Sequence, residues 1–289
     1  MPSININDYT HAANFVSLDE HQIAFWQAEC ESRKNVLFIH GFPSASCDWY
    51  HQWHALKGEA NLLAMDMLGF GLSAKPFPHE YTLAEQAHLV SRLLEHKKWQ
   101  HCHIVAHDYG DSVAQQLLYM QEQQQLPCEI RSISFLNGGL FSEAHRPLLI
   151  QKILKSPVGQ WLIPFLSERS LGNGLKKVFG ANTPPSAQEL NTIWQLLNHH
   201  NGKRCMPAIL QYISERTIRR EDWLQAIRAT SVPMQFINGR LDPISGEHMA
   251  QRLRELVPEV HTILLDVGHY PQLEAPEQVN KALQQFLKQ

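Results

Sequence analysis

The sequence predicts an α/β fold: a mostly parallel central sheet flanked by helices, with a helical cap inserted after the sixth strand. Three features carry this expectation. Short apolar runs alternate with segments of helical periodicity. One run, His103-Ile104-Val105-Ala106-His107, ends abruptly at Asp108, between the small residues Ala106 and Gly110, and a long helical pattern follows. The alternation then breaks once, between residues 136 and 233, in a stretch with no convincing buried strand.

Residues 22–28 and 34–39 read as early strands, the second almost continuously apolar, and 61–66 and 103–107 as further short buried ones. Residues 83–96 carry Leu83, Ala87, Val90, Leu93 and Leu94 at helical spacing, and 112–123 turn Val113, Leu117, Leu118 and Met120 to one face. Residues 130–136, 234–237 and 262–265 supply further strands, and 275–287 form a closing helix. The interrupted region reads as helices over 146–155, 159–166, 187–198 and 206–219, punctuated by Pro157, Pro164, Pro184-Pro185 and Pro207. It is too long for a loop. This divides the chain into a core of residues 1–139 and 229–289 and a cap of residues 140–228.

With 289 residues, 44% of them hydrophobic, the chain can bury a sizeable core. The net charge is −3 with no basic block, so charge supports neither a nucleic-acid nor a membrane-surface role. No run approaches the ~18 apolar residues of a membrane span, and residues 1–10 carry no signal-peptide run. Five scattered cysteines, an odd number, point to reduced, mostly buried thiols and a cytoplasmic setting. Seventeen histidines raise the question of a metal. His101 and His103 share a strand face, but a metallohydrolase of the H-x-H-x-D-H type needs an aspartate where this chain has Val105, and His199-His200 sit in a polar stretch. No metal and no cofactor is expected, and the expected partner is a small-molecule substrate.

The turn at residues 107–110 has the outline of a nucleophile elbow, which lifts a reactive side chain to the top of a sheet. Serine is the usual occupant; here it is Asp108. A carboxylate can attack saturated carbon and leave an ester on the protein. Folds with this elbow place an acid and then a histidine further along the chain. Asp242 and His269 stand in that order, each after a strand, at the carboxyl ends where open α/β sheets bind ligands. Alone, Asp242 reads as a turn aspartate before Pro243 and His269 as a loop imidazole; with Asp108 they read as a catalytic set. His269 would activate water, and Asp242 would orient the imidazole. The backbone N–H groups of Phe42, in His40-Gly41-Phe42-Pro43, and of Tyr109 are the expected oxyanion hole. His40, Phe42, Tyr109 and Tyr212 are the expected substrate contacts. Gly110-Asp111-Ser112 imitates a serine motif, but Ser112 falls in the first helical turn, where Asp111 and Ser112 suit a helix start.

The elbow, the His40–Pro43 turn, Asp242 and His269 together resemble the Asp-nucleophile branch of the α/β hydrolases, which includes epoxide hydrolases and haloalkane and haloacetate dehalogenases. Longer runs, among them His145-Arg146-Pro147-Leu148-Leu149, Leu210-Gln211-Tyr212-Ile213 and His269-Tyr270-Pro271-Gln272-Leu273-Glu274, are similar to the mesoderm-specific transcript proteins of vertebrates. The resemblance implies the α/β-hydrolase fold and a hydrolase that forms an alkyl ester on Asp108. A small apolar epoxide is the first substrate expectation and an alkyl halide the second; an ester hydrolase or a non-catalytic binding module on the same fold are the alternatives. The chain departs from the branch in three places. Haloalkane dehalogenases usually hold the halide with a tryptophan after the nucleophile; here Tyr109 follows Asp108, and Phe42 follows His40-Gly41. Haloacetate dehalogenases carry an arginine where Tyr109 stands. Epoxide hydrolases use two cap tyrosines, whereas Tyr212 is the only tyrosine between Leu140 and Thr230.

Overall fold

The apolar runs form one eight-stranded sheet in a computed structural model that describes residues 3–288. The strands are β1 (Asn14–Leu18), β2 (His21–Ala28), β3 (Asn35–Ile39), β4 (Asn61–Met65), β5 (His101–His107), β6 (Glu129–Leu136), β7 (Met234–Gly239) and β8 (His261–Leu265). Their order is β1-β2-β4-β3-β5-β6-β7-β8. The pairs β1–β2 and β2–β4 are antiparallel, and every pair from β4 to β8 is parallel. The central strands are covered on both sides, which is why they read as unbroken apolar runs rather than alternating ones. Val36, Phe38, Val105 and Ile237 belong to one core cluster with Trp49, Trp53 and Leu283, while Leu37, Ile39, Ile104 and Ala106 belong to another with Leu83, Val113 and Trp223. Side-chain alternation along each strand thus feeds two cores, one on each face.

Helices α1 (Ile6–His11), α2 (Tyr50–Leu56), α3 (Leu83–His96) and α4 (Tyr109–Glu122) precede β6. The Thr82 hydroxyl caps α3 by accepting the Glu85 N–H at 3.1 Å. Between β6 and β7 lie α5 (Leu149–Lys155), α6 (Gly159–Leu162), α7 (Glu168–Leu175), α8 (Ala187–Asn198), α9 (Met206–Ile209) and α10 (Tyr212–Ala229), with no strand among the described residues. Helix α10 returns to the sheet and packs along α4, where the Trp223 indole donates to Gln116 Oε1 at 2.9 Å. Helices α11 (Glu247–Leu256), α12 (Pro271–Glu274) and α13 (Pro276–Phe286) complete the chain.

Several boundaries differ from the sequence reading, each for a physical reason. Edge strand β1 buries only Leu18 fully, so it presents no apolar run. In α11 only Met249, Ala250 and Leu253 are buried. Helix α7 contains Gly172 and Gly174, which lower helix propensity. The helix expected over 206–219 is two, α9 and α10, and the second runs on to Ala229. Helix α4 begins at Tyr109 rather than at 112, directly after Asp108.

Gly110 lets α4 start hard against β3. A Cβ there would lie 2.4 Å from the Ile39 carbonyl oxygen and 2.7 Å from that of His40, main-chain atoms that cannot yield. Gly110→Ala is therefore expected to lower the unfolding free energy by about 1–3 kcal/mol, the usual cost of overpacking. At Gly172 a Cβ would meet only Leu190 methyl carbons, at 3.5 Å and beyond. Gly172→Ala is expected to gain about 0.5–1 kcal/mol from helix propensity. Denaturant titrations of the two variants decide this; equal midpoints would refute the close-approach account.

Candidate active site

The chain leaves β5 at His107 and enters α4 at Tyr109, so Asp108 takes the whole turn between them. Its backbone is at φ 49° and ψ −103°, an unfavourable conformation for a residue with a Cβ. The Asp108 N–H remains tied to the Leu136 carbonyl of β6 at 3.1 Å, which holds the strained residue at the carboxyl edge of the sheet. Gly41 passes directly beneath: a Cβ on it would lie 2.6 Å from His107 Nδ1 and 3.0 Å from Asp108 Cβ. That approach allows the Phe42 N–H to donate to Asp108 Oδ2 at 3.1 Å. Tyr109 is the first residue of α4, so its N–H has no acceptor within the helix.

His269 follows β8 and Asp242 follows β7, and the fold brings both to Asp108. His269 Nδ1 donates to Asp242 Oδ2 at 2.7 Å, and its Nε2 lies 3.9 Å from Asp108 Oδ2. Asp242 also accepts the Ile244 N–H at 2.8 Å, the Ser245 N–H at 3.1 Å and the Asn137 side-chain amide at 3.1 Å. Burial pushes the Asp242 carboxyl up, but His269 and these donors hold it below its ordinary value. For His269, burial works against protonation, yet the charges of Asp242 and Asp108 prevail and raise its pKa. His107 donates from Nε2 to the His269 carbonyl at 2.8 Å and is neutral, because burial and the neighbouring His269 push it down to about 3. The His269 N–H donates to the Val178 carbonyl at 2.8 Å. Glu274 fastens this same corner: Oε2 accepts the N–H groups of Gly180 and Gly268 and the Thr183 hydroxyl, and Oε1 accepts the Tyr270 N–H.

A residue that the sequence reading passed over stands beside Asp108. Arg216, on α10, is 2% exposed. Its Nε donates to Ser112 Oγ at 2.7 Å and its Nη2 to the Asp108 carbonyl at 2.9 Å, with Nη2 3.5 Å from Asp108 Oδ1. The guanidinium lies over the Tyr212 ring, 4.5 Å from its centroid. Asp111 does not compete for this charge, since burial pushes its carboxyl well above the ordinary range. Burial also pushes Asp108 upward, but His269, Arg216 and the Phe42 N–H together hold it below its ordinary value, as a carboxylate. The signal was present in the sequence: Arg216 shares the helical stripe of Tyr212, Trp223 and Ile227, a position reserved for buried side chains. Ser112, the runner-up nucleophile, is fully buried in the first turns of α4 as an acceptor for this arginine.

Asp108, His269, Phe42 and Tyr270 lie in the wall of a cavity whose remaining surface comes mainly from α5, α7 and α9, with Leu154, Leu171, Leu175 and Met206 facing it. The substrate contacts expected from the sequence separate here. Phe42 is in the wall; His40, Tyr109 and Tyr212 are not. The His40 ring is a brace, with Nδ1 2.9 Å from the Gly41 carbonyl and Nε2 accepting the Met67 N–H at 3.1 Å. The Tyr109 and Tyr212 rings pack edge to face, 4.8 Å apart, and Tyr212 lies 6.4 Å from Phe42. The Tyr212 hydroxyl is buried without a hydrogen-bond partner among the described residues. Away from this cavity, His21, His79 and Glu85 bring metal-competent atoms within 4.8 Å of one another, and His79 Nε2 is already paired with the Glu85 carboxylate at 2.9 Å. No helix among the described residues is long and apolar enough to cross a membrane.

A mostly parallel sheet, a strained strand-to-helix turn and an acid–histidine pair after the last strands define an α/β hydrolase. The chain belongs to the alpha/beta hydrolase family, whose family model matches residues 36–282. It is 40% identical to the mesoderm-specific transcript protein of Mus musculus over 252 residues, 83% of this chain and 75% of that one. It is 37% identical to the putative hydrolase LipZ of Mycobacterium tuberculosis over 243 residues, 84% of each. Among solved structures, the haloalkane dehalogenase DatA of Agrobacterium tumefaciens C58 superposes with a TM-score of 0.77 at 22% identity, covering 96% of both chains.

The Arg216–Asp108 pair makes a testable statement about stability. Asp108 has a lower pKa in the folded protein than the ordinary value of about 3.9. Its ionisation therefore adds stability that is fully present above that value and lost as pH falls through the lowered folded pKa. Arg216→Gln leaves a buried carboxylate with His269 as its remaining cationic neighbour, a loss of up to about 3–5 kcal/mol, the cost of breaking a buried pair. The deficit relative to the wild type should be largest near neutral pH and shrink below about pH 4. Denaturant unfolding across that range measures it; a deficit independent of pH would assign Arg216 to packing alone.

Proposed function

We propose that the protein is a hydrolase in which Asp108 is the nucleophile, and that its substrate is a small apolar epoxide. The observation that carries this reading is a buried, ionised carboxylate in the wall of an apolar cavity, with a histidine nitrogen 3.9 Å from one of its oxygens. Asp108 attacks a ring carbon, the C–O bond opens, and an ester joins the substrate to the protein. Esterification removes the negative charge that helps to raise the His269 pKa. The imidazolium then releases its proton to solvent more readily, and the neutral ring can act as a base toward water. Water attacks the Asp108 carbonyl carbon, the Phe42 and Tyr109 N–H groups stabilise the oxyanion, and the diol leaves. Asp242 holds His269 in the required tautomer throughout. Residues 140–228 serve as the cap over this chemistry, and Arg216 ties them to the nucleophile.

Tyr212 favours an epoxide over an alkyl halide. Burial and the Asp108 charge keep its hydroxyl protonated, and that hydroxyl has no other hydrogen-bond partner among the described residues. Its ring packs behind Phe42 of the cavity wall, 6.4 Å between centroids, so in this reading it serves as the donor to the opening ring oxygen by turning past Phe42 into the cavity. A halide leaves as an anion and needs no proton, and neither Phe42 nor Tyr109 offers the side-chain N–H that would hold it.

His269→Gln separates the two steps. Alkylation of Asp108 should persist while ester hydrolysis stops, so product is limited to a single burst and the protein gains the mass of the substrate. Peptide mapping should place that mass on Asp108, and Asp108→Asn should show neither adduct nor rapid turnover. An adduct elsewhere, or full turnover in either variant, would end the Asp108 reading.

Tyr212→Phe removes only a hydroxyl. With an epoxide, kcat should fall by about 10²-fold or more, the range of general acid catalysis. With an alkyl halide it should barely change. A halide turned over faster than any epoxide by the wild type would transfer the assignment to dehalogenation.

A further inference from the structure

Among the described residues, six of the ten large apolar side chains that the fold leaves exposed fall within residues 149–165: Leu149, Ile150, Val158, Trp161, Leu162 and Phe165. Trp161 is 80% exposed and Phe165 81%. Val158, Trp161, Leu162 and Phe165 are spaced i, i+3, i+4 and i+7 along α6 and the helical turn that continues it to Phe165, which puts them on one face. Isolated exposed hydrophobes are ordinary, but a concentrated patch marks a surface that something covers.

Charge identifies what covers it. The chain carries −3 overall, yet from residue 146 to residue 177 it holds Arg146, Lys152, Lys155, Arg169, Lys176 and Lys177 against Glu168 alone. None of these six basic side chains is in an ion pair among the described residues. Exposed aromatic and aliphatic side chains on a basic segment are the composition of an element that lies in the interfacial layer of an anionic bilayer: apolar groups enter the acyl boundary, the tryptophan sits at headgroup level, and lysine and arginine meet lipid phosphates. The same segment forms the cavity. Leu154, Leu166, Leu171 and Leu175 face inward to the Asp108 cavity, while Ile150 and Ser170 belong to its wall and are also exposed. The mouth of the cavity therefore opens beside the apolar patch.

We infer that the outer face of residues 149–165 docks on an anionic lipid bilayer, and that an apolar, membrane-partitioned substrate passes from it through the mouth at Ile150 into the Asp108 cavity. The docking is independent of the chemistry proposed above; the destination of the substrate rests on it.

Sedimentation with phosphatidylcholine vesicles, with and without phosphatidylserine, tests the docking on the full chain. The protein should pellet with the phosphatidylserine vesicles at low salt, and high salt should weaken this. The double variant Trp161→Ala/Phe165→Ala should bind those vesicles at least about tenfold more weakly. Because both side chains are exposed and outside the cavity wall, its melting temperature and its turnover of a water-soluble substrate should match the wild type. A long-chain substrate delivered in phosphatidylserine vesicles should be turned over faster by the wild type than by the double variant. Equal vesicle binding by the two proteins, or none by the wild type, overturns the proposal. So does a wild-type dimer, seen by light scattering, that the double variant abolishes without any vesicle binding, since the face would then belong to a second copy. Adduct formation on Asp108 in His269→Gln with a soluble substrate is read separately, so failure of docking and failure of the nucleophile reading are distinguishable.

Discussion

A carboxylate that is 4% exposed does not remain charged by default. Desolvation favours its protonated form, and protonation would remove the charge on which the proposed attack by Asp108 depends. Much of the polar architecture at the carboxyl edge of the sheet answers that one demand. Arg216 approaches from α10, His269 from the loop after β8, and the Phe42 N–H from the turn after β3. The start of α4 adds the positive end of a helix dipole at the same point. Each contribution comes from a different element, so the charge of a single side chain depends on the correct assembly of the sheet, of α4 and of the inserted segment.

The same dependence explains what could be read from the sequence. Asp108, Asp242 and His269 were legible because each stands immediately after a strand, and strand ends are fixed by local apolar pattern and turn chemistry. The Phe42 contact was legible for the same reason. For Arg216 the helical stripe could have signalled burial, but not the contact with Asp108, because that partner lies 108 residues away and is met only once α10 has folded back along α4. His107, Asn137 and Ser245 act as braces through hydrogen bonds between loops, and nothing in their local sequence marks them for that. His40 and Tyr212 stand differently. Both are chemically suitable and close in the fold to the cavity, but their rings are turned to Met67 and Arg216 respectively.

The inserted segment shows how averages conceal local arrangement. Net charge over the whole chain is slightly negative, and overall hydrophobicity is ordinary. Within residues 140–180, however, apolar side chains occupy two surfaces. One set packs inward over Asp108, and another faces solvent along α5 and α6. Helices this short cannot be stable on their own in water, so they depend on packing against the core and against each other. A layer built of short helical turns is thin enough to carry apolar side chains on both of its surfaces.

Glu274 fastens one edge of that segment. Its carboxylate joins the main chain at Gly180 and Gly268 and the hydroxyl of Thr183, while the His269 N–H holds Val178. A Cβ on Gly268 would lie 2.3 Å from the Val178 carbonyl oxygen, so the two backbones are in contact there with no room to slide. The far end of the segment, α5 and α6, has no comparable set of bonds to the catalytic loops among the described residues. The segment is thus fastened most densely along its His269 side, while the approach to α5 is held by the Arg146 N–H on the Ile244 carbonyl at 3.0 Å and the end of α5 by Gln211 Nε2 on the Lys155 carbonyl at 2.9 Å. A shift of residues 178–183 would therefore be passed straight to the His269 main chain, so this seam couples the seating of the inserted segment to the position of the imidazole.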